Sequence, residues 1–155
     1  MRFEDFFEHQ YSSVTKALLL VVGDASEAEE LAEEAFARAW ARWDLVVAMD
    51  SPAGYVYRTA LHLNRNRLRR LSREPRRQAR EADFDPASEV ATRDEIRRAL
   101  AALPVGQREA IVLIEWLGLT AEEAGKVLRI RPSSVRARVH RARAKLRERL
   151  GGVDE

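Results

Sequence analysis

The stretch from Leu119 to Arg143 constrains the fold of this chain more than any other. It reads LTAEEAGKVLRIRPSSVRARVHRAR. Thr120 followed three residues later by Glu123 forms a capping box, which predicts the start of a helix. The turn at residues 129–131 interrupts that helix, and Pro132 predicts the first turn of a second one. Two helices at this spacing are typical of a helix-turn-helix, whose second helix fits the major groove of duplex DNA.

The second helix of this motif separates apolar from cationic side chains. Its inward side is predicted to hold Val135, Val139, Ala142 and Leu146. Arg136, His140 and Arg143 share another face, and Ser133 and Ser134 are predicted to cap the helix with their hydroxyls. A bidentate contact from Arg136 to guanine contributes about 1–3 kcal/mol of discrimination. The alternative to a DNA-binding helix is an arginine-rich surface helix whose charges only provide solubility.

Positive and negative charge alternate in four blocks, although the net charge of the chain is only +2. Residues 1–50 carry a net −7 and residues 81–128 a net −5. Residues 51–80 carry +8 and residues 129–155 carry +6. One basic block is often just a solvated face. Two basic blocks, each at the end of a predicted helical unit, favour two contacts with a polyanion.

Apolar residues recur at helical spacing in the first half of the chain. One helix is expected to end at Gly23 and Asp24. A second is expected to open at Ser26, with Glu29 completing another capping box. A third helix is expected from Pro52 to about residue 73.

The second half is also predicted to be helical, and no alternating strand pattern occurs in the sequence. Helical spacing resumes near Ala87 and stops at Pro104, and a further helix is expected at residues 105–117, ended by Gly118. We therefore predict an all-α fold with two small helical domains, residues 1–73 and 87–155. A polar, flexible linker at residues 74–86 joins them. Whether the two domains touch remains open.

The sequence offers no catalytic or metal site. His9, His62 and His140 lie on different predicted elements, without the spacing of metal ligands. The chain contains no cysteine, which excludes disulfides and cysteine-based metal sites. No stretch approaches the roughly 20 apolar residues that span a bilayer. We expect no enzymatic activity, no cofactor, no membrane insertion and a cytoplasmic location.

The other basic helix, SPAGYVYRTALHLNRNRLRRLSREPRR, begins with aromatic residues and ends with arginines. Aromatic rings stack on unpaired bases while arginines bind phosphates, so this order favours binding to single-stranded nucleic acid. On periodicity alone, Tyr55 and Tyr57 could equally belong to the core.

Three motifs in this order resemble the extracytoplasmic-function sigma factors, the small two-domain initiation subunits of bacterial RNA polymerase. AEELAEEAFARAWARW resembles the helix of that family that binds core polymerase. The segment from Ser51 to Arg70 resembles the one that melts and reads the −10 element. The segment from Leu103 to Leu146 resembles the domain that reads the −35 element. The acidic first half is similar to an actinobacterial SigE-like subgroup.

The resemblance implies roles for individual residues. The positions that match polymerase contacts are Leu31, Glu33, Glu34, Phe36, Arg38 and Trp40. The positions that match −10 recognition are Tyr55, Tyr57, His62, Arg65, Asn66, Arg69 and Arg70. The positions that match −35 recognition are Ser134, Arg136, Ala137, His140, Arg141 and Arg143. Core packing competes for the apolar members of the first set, so its charged members are the stronger candidates.

Several residues depart from the family pattern. His62 stands where asparagine is usual, Asn66 where aspartate is common, and Tyr55 where tryptophan is frequent. These departures leave promoter opening implied and the −10 base preference unassigned. Arg129 replaces a turn glycine, and Gly125 lies in a helix interior, where it permits close approach of the two helices at a cost of up to about 1 kcal/mol.

The function that the resemblance implies is promoter recognition in transcription initiation. Its implied partners are core RNA polymerase, promoter DNA and an anti-sigma factor. A free-standing helix-turn-helix repressor is the alternative, although it leaves the second basic helix and the acidic helix unexplained. A nuclease is a further alternative, but the acidic clusters lie on a separate helix from the basic surface.

Overall fold

The structure is a computed structural model that describes residues 1–73 and 89–150, without the side chains of residues 89–92. The predicted linker at residues 74–86 lies outside this range, as do residues 87–88 and 151–155. The prediction of an all-α fold is confirmed, and the described residues contain no strand. The helices are α1 Phe3–Val22, α2 Ala25–Ala41, α3 Trp43–Val46, α4 Pro52–Ser72, α5 Glu89–Ala101, α6 Val105–Ile111, α7 Ala121–Leu128 and α8 Pro132–Leu150. Within the described ranges, no helix has the length and hydrophobicity to cross a membrane.

The boundary between α1 and α2 differs from the prediction. α1 ends at Gly23, whose φ of 82° allows its N–H to bond to the carbonyl of Leu19 at 2.8 Å. The cap of α2 is Asp24, whose carboxylate accepts from the N–H of Glu27 at 3.0 Å. The predicted cap at Ser26 was therefore wrong. The backbone of Asp24, which follows Gly23, is extended. This conformation directs the Asp24 carboxylate toward the first turn of α2, where negative charge is favourable.

Aromatic rings join α1 to α2 and α3. The rings of Phe7 and Phe36 lie 5.1 Å apart, and those of Phe6 and Trp43 are also 5.1 Å apart. The Trp43 indole N–H donates to the carbonyl of Met1 at 3.2 Å. Edge-on and tilted pairs at these distances add to the stabilisation from burial alone.

The helix expected at residues 105–117 changes character halfway. α6 continues into a π-helical turn, Val112–Trp116, in which the N–H of Leu117 reaches back five residues to Val112 at 3.1 Å. Gly118 ends the turn with a φ of 69°, as predicted, and the next N–H bonds to the carbonyl of Leu113 at 3.0 Å. Residues 109–113 are all buried, because helices cover this segment on several sides.

The helix-turn-helix is confirmed. The Thr120 hydroxyl accepts from the Glu123 N–H, and the Glu123 carboxylate accepts from the Thr120 N–H, both at 3.1 Å. A Cβ at Gly125 would lie 2.7 Å from the carbonyl oxygen of Ile130, so only glycine lets the turn backbone pack this closely. The close approach expected at Gly125 is therefore present.

The start of α8 corrects one prediction. The carbonyl of Arg131 accepts from the N–H groups of Ser134 at 2.9 Å and Val135 at 3.1 Å, so Arg131 occupies the capping position. Pro132 is the first helical residue, which places Ser133 and Ser134 inside the first turn. Among the hydrogen bonds of the described residues, none involves their hydroxyls, and the prediction that they cap the helix was wrong.

The two halves of the chain pack against each other. Buried residues of α1, α2 and α4 form one continuous hydrophobic cluster with buried residues of α6, α7 and α8. α4 lies against α7, and α1 lies against α5 and the π-helical turn. This contact, which the sequence left open, produces one compact body, and we call it the closed arrangement.

Arg108 joins the halves through backbone carbonyls. Its guanidinium donates to Val21 at 2.6 Å, at the end of α1. It also donates to Leu100 at 2.8 Å, to Leu103 at 2.9 Å and to Ala101 at 3.2 Å, around the end of α5. The last carbonyls of a helix lack partners within the helix and carry partial negative charge, so a cation stabilises both ends. Burial lowers the pKa of Arg108 below its usual value, and neighbouring Glu109 partly offsets that effect.

Candidate nucleic-acid interfaces

The outer face of α8 is an exposed cationic surface. Val135, Val139 and Ala142 are buried, and Leu146 packs on their side of the helix. The predicted division of this helix is therefore confirmed. Five of the six residues predicted for the −35 element are exposed on the other side, and the sixth, Ser134, is partly exposed. The exposed residues are Arg136, Ala137, His140, Arg141 and Arg143.

Two of these arginines pair with acids of the same half. Arg136 donates to Glu122 of α7 at 2.9 Å, and the Nε of Arg143 donates to Glu115 of the π-helical turn at 2.9 Å. The side chains of the first pair are 61% and 62% exposed. Exposed pairs contribute about 0–1 kcal/mol, so a phosphate or a base edge can displace the carboxylate at small cost. The two ion pairs hold the arginine side chains against the surface of α8, and this surface stays accessible to solvent.

The turn between α7 and α8 carries backbone strain. Arg129 has a φ of 58°, which among the described residues makes it the one non-glycine residue in the left-handed region. A side chain in that region costs roughly 1–2 kcal/mol, and glycine is the ordinary residue at such a helix end. The missing turn glycine therefore leaves this turn strained, and the exposed Arg129 side chain is available for an anion.

Tyr57 of α4 belongs to the core in the closed arrangement. Its side chain is buried, and its hydroxyl lies 3.1 Å from the Ser13 hydroxyl. Burial raises the pKa of Tyr57, and the hydrogen bond to Ser13 lowers it to a smaller extent. The sequence allowed either a core position or a base contact for Tyr57. The base contact stays a prediction, and it requires the Tyr57 side chain to leave this buried position.

Arg65 of α4 binds the other half of the chain. Its guanidinium makes two hydrogen bonds to the fully buried carboxylate of Glu109 in α6, with the Nε donating at 3.2 Å. The hydrogen bonds to Glu109 raise the pKa of Arg65. Tyr55 and His62 line a cleft between α4 and the helix-turn-helix, together with Ile130 of the turn. Tyr55, His62 and Arg65, three of the predicted −10 residues, therefore line the same cleft as the helix-turn-helix.

The end of α4 is more accessible than its middle. Arg69 and Arg70 are exposed, and Asn66 lies 3.4 Å from the ring nitrogen of His62, measured between the side-chain nitrogens. The seven residues predicted for the −10 element thus share one helix but not one open surface. His62, Arg69 and Arg70 are exposed, whereas Tyr57 is held against α1 and Arg65 is bound to Glu109.

The predicted polymerase residues divide between the core and the surface of α2. Phe36 is buried, and Leu31 packs partly buried against the core. Glu33 and Glu34 are exposed, and Glu34 accepts from the Arg38 Nε at 3.1 Å. Trp40 is 65% exposed, although its spacing had suggested core packing. A large exposed ring beside charged residues is characteristic of interface hot spots.

Glu109, Arg108 and Asn64 were missed by the reasoning from sequence. Glu109 is four residues after Val105 and three before Val112, so a carboxylate occupies the buried side of its helix. Asn64 occupies the same kind of position after Ala60, and it is 1% exposed. Polar residues within an apolar stripe could have marked these positions. Their partners could not be identified, because Glu109 pairs with a residue 44 positions away.

Comparisons with known proteins match both halves of the chain. Residues 6–74 match the family model for Sigma-70 region 2, and residues 93–146 match the model for Sigma-70, region 4. The chain is 28% identical over 157 residues to the RNA polymerase sigma-E factor of Streptomyces coelicolor, a match that covers 99% of this chain and 89% of that protein.

Two further comparisons agree with these matches. The ECF RNA polymerase sigma factor EcfG of Rhodopseudomonas palustris is 30% identical over 133 residues, which cover 80% of this chain and 71% of EcfG. The fold is similar to that of the sigma factor RpoE from Bartonella quintana, solved with the anti-sigma factor NepR. That match has a TM-score of 0.85 and 22% identity, and it covers 99% of this chain and 98% of RpoE.

A free-standing repressor is not favoured, because it accounts for the helix-turn-helix but not for a first half that matches Sigma-70 region 2. The first half of the chain, with α2 and α4, and the second half, with the helix-turn-helix, together correspond to the two Sigma-70 regions. The chain belongs to the extracytoplasmic-function sigma factors, which direct RNA polymerase to promoters in bacteria.

Proposed function

We propose that this sigma factor reads the −35 element with the outer face of α8. The supporting observation is the exposed row of cations on a helix whose opposite side is buried in the domain. Arg136 is one turn from the start of α8, where side chains of a recognition helix reach base edges. Arg143 and His140 extend the same face toward the phosphates.

The −10 element is read by α4 after the closed arrangement opens. Arg69 and Arg70 at the exposed end of α4 make the first phosphate contacts. His62 is already exposed at the rim of the cleft, and the partly buried Tyr55 reaches the single strand once the helix-turn-helix moves away. Opening therefore couples the exposure of α4 to engagement with the polymerase and the promoter.

The polymerase binds the outer face of α2. Trp40 provides the apolar anchor, and Glu33 and Glu34 provide the charged contacts around it. Phe36 supports this face from within the core, where its packing orients α2.

The chain acts without bond chemistry of its own, in the cytoplasm, as a subunit of the initiating polymerase. An anti-sigma factor holds it inactive. The support for this regulator is the similarity in fold to RpoE, whose structure was solved with the anti-sigma factor NepR.

In vitro run-off transcription tests the −35 assignment. Arg136→Ala should weaken binding to the upstream duplex by about 1–3 kcal/mol and relax sequence preference at one position of the −35 element. Arg2→Ala removes the same charge from an exposed position in the first half of the chain, outside α8, and serves as the control. A footprint and transcript yield equal to those of the unaltered protein would reject the assignment of Arg136.

A binding assay with core polymerase tests the α2 assignment. Glu33→Lys combined with Glu34→Lys should abolish retention on immobilised core polymerase while leaving the thermal melt unchanged. Full retention would exclude this face. Gel shifts with and without core polymerase address the repressor alternative, because tight specific binding by the lone chain would support it.

A further inference from the structure

A cleft of about 590 Å³ lies between α2, α4 and the helix-turn-helix, so both halves of the chain form its walls. Its charge is strongly unbalanced, because Glu109 is the one carboxylate among the residues that line it. The arginines that line it are Arg38, Arg42, Arg58, Arg65, Arg129 and Arg138.

Three of these six guanidinium groups already have partners. Arg65 binds Glu109, Arg38 binds Glu34 on the surface, and Arg58 lies 5.8 Å from the centre of the Tyr55 ring. Arg42, Arg129 and Arg138 have no carboxylate partner among the side chains that the structure describes. These three guanidinium groups give the cleft a positive charge that no carboxylate offsets, and an anion bound there removes that imbalance.

The backbone conformation of Arg129 adds a further observation to its position in the cleft. Arg129 keeps a cationic side chain at a backbone position that favours glycine, and that side chain lines the cleft. Strain of this kind persists where the side chain contributes something that glycine cannot. Here the contribution is a positive charge at the junction of the two halves.

We propose that the cleft binds an oligophosphate anion, such as a nucleoside triphosphate or inorganic tripolyphosphate, and that the anion stabilises the closed arrangement. Guanidinium groups bind phosphate oxygens through paired N–H donors, and the volume of the cleft falls within the usual range for small-molecule sites. Because α2 and α4 form one wall and the helix-turn-helix forms the other, the complete site exists only while the halves are in contact. A ligand of the closed arrangement shifts the population toward it. This inference adds a small-molecule ligand to the proposed function.

Binding is measured on the full free chain, so the result does not depend on polymerase or promoter. Tripolyphosphate and ATP are titrated separately by calorimetry, with sodium sulfate at matched ionic strength as the reference. The chain has no cysteine, so Ser12→Cys and Ala144→Cys at exposed positions allow two dyes to report the distance between the halves. Both probes should bind saturably, raise the melting temperature and increase energy transfer between the dyes.

The two probes distinguish the source of the phosphate chain. Equal affinities assign recognition to the phosphates alone, and tighter binding of ATP assigns a contact to the nucleoside as well. Both outcomes support the site. A response that follows ionic strength and equals that of sulfate would overturn it.

Arg129→Gly separates loss of the site from loss of the fold. The variant removes one guanidinium and also relieves the backbone strain, so it should melt no lower than the unaltered protein. Its affinity for tripolyphosphate should fall about tenfold or more, as expected for the loss of one charge-assisted contact. Arg147→Ala, which removes an exposed cation outside the cleft, should bind as the unaltered protein does. Undiminished binding by Arg129→Gly would refute the proposal.

Discussion

Single residues set the geometry of the helix-turn-helix. Gly125 allows the turn to pack against α7, and Arg129 adopts the left-handed conformation that ends this helix. The sequence showed both positions as unusual, a glycine inside a helix and a missing glycine after it. The close contact between Gly125 and the Ile130 carbonyl oxygen could be seen only in the folded turn.

At this scale we predict that Gly125→Ala destabilises the protein by about 1–3 kcal/mol, as overpacking does. Alanine normally stabilises a helix interior, but the added methyl group would meet a backbone oxygen that cannot move aside. Gly106→Ala is the matched control, because a Cβ there meets only the flexible end of Arg138. Urea denaturation of both variants measures the difference. A Gly125→Ala protein as stable as the control would show that the turn adjusts.

Helices acquire their ends and their charge from local sequence. The capping box at Thr120 and Glu123 formed as predicted, since both hydrogen bonds join residues three positions apart. The cap of α2 was predicted at Ser26 but is Asp24, two residues earlier. Both residue types can cap a helix, and Asp24 directly follows the left-handed Gly23 that ends α1.

For α7 we predict a pH-dependent contribution from Glu123. Hydrogen bonds from the Thr120 backbone and hydroxyl lower the pKa of Glu123 below its ordinary 4.5. The ionised carboxylate therefore stabilises the helix fully above that ordinary value, and the stabilisation disappears as the pH falls through the lower folded pKa. Melting temperatures of the unaltered protein and Glu123→Gln should differ at neutral pH and converge in acid. Glu8→Gln, which removes an exposed carboxylate outside the capping box, is the control. A constant difference across this range would argue against a role for the charge.

For α4 we predict that the arginines at its basic end bind phosphates and so release counterions from the DNA. Arg69→Ala combined with Arg70→Ala should reduce the slope of log affinity against log salt by about 1 to 2 in open-complex formation, because two phosphate contacts are lost. Arg2→Ala combined with Lys16→Ala removes equal charge from α1 and the residue before it, and it should leave the slope unchanged. An identical slope for both double variants would rule out phosphate contacts by Arg69 and Arg70.

At the scale of the whole molecule, the contact between halves decides which surfaces are available. Arg65 and Glu109 join α4 to α6, and Arg108 joins the ends of α1 and α5. The outer face of α8 is exposed, whereas Tyr57 and Arg65 in the middle of α4 are held by other helices. The closed arrangement therefore leaves the proposed −35 surface accessible and occupies two of the residues proposed for −10 contact.

We predict that Arg65→Ala opens this arrangement. It leaves the fully buried Glu109 carboxylate without its partner, at a cost of roughly 2 to 3 kcal/mol, below the range for fully buried pairs because Arg65 is 39% exposed. Small-angle scattering should show a larger radius of gyration. Glu109→Gln is the comparison, and it should open the molecule less, since a partly exposed Arg65 can bind water instead. An unchanged radius in Arg65→Ala would mean that apolar packing and the Arg108 hydrogen bonds hold the halves together without this pair.

Sequence alone determined the longer helices, the capping box of α7, the helix-turn-helix and the division of α8 into buried and cationic sides, because periodicity and capping boxes act over three or four residues. It also placed Trp40, Arg69 and Arg136 on motifs of the family. Only the tertiary structure decided which of those residues are exposed and which are occupied by the other half. The pairing of Arg65 with Glu109 depends on the three-dimensional path between residues 44 positions apart, and local patterns carry no information about such pairs.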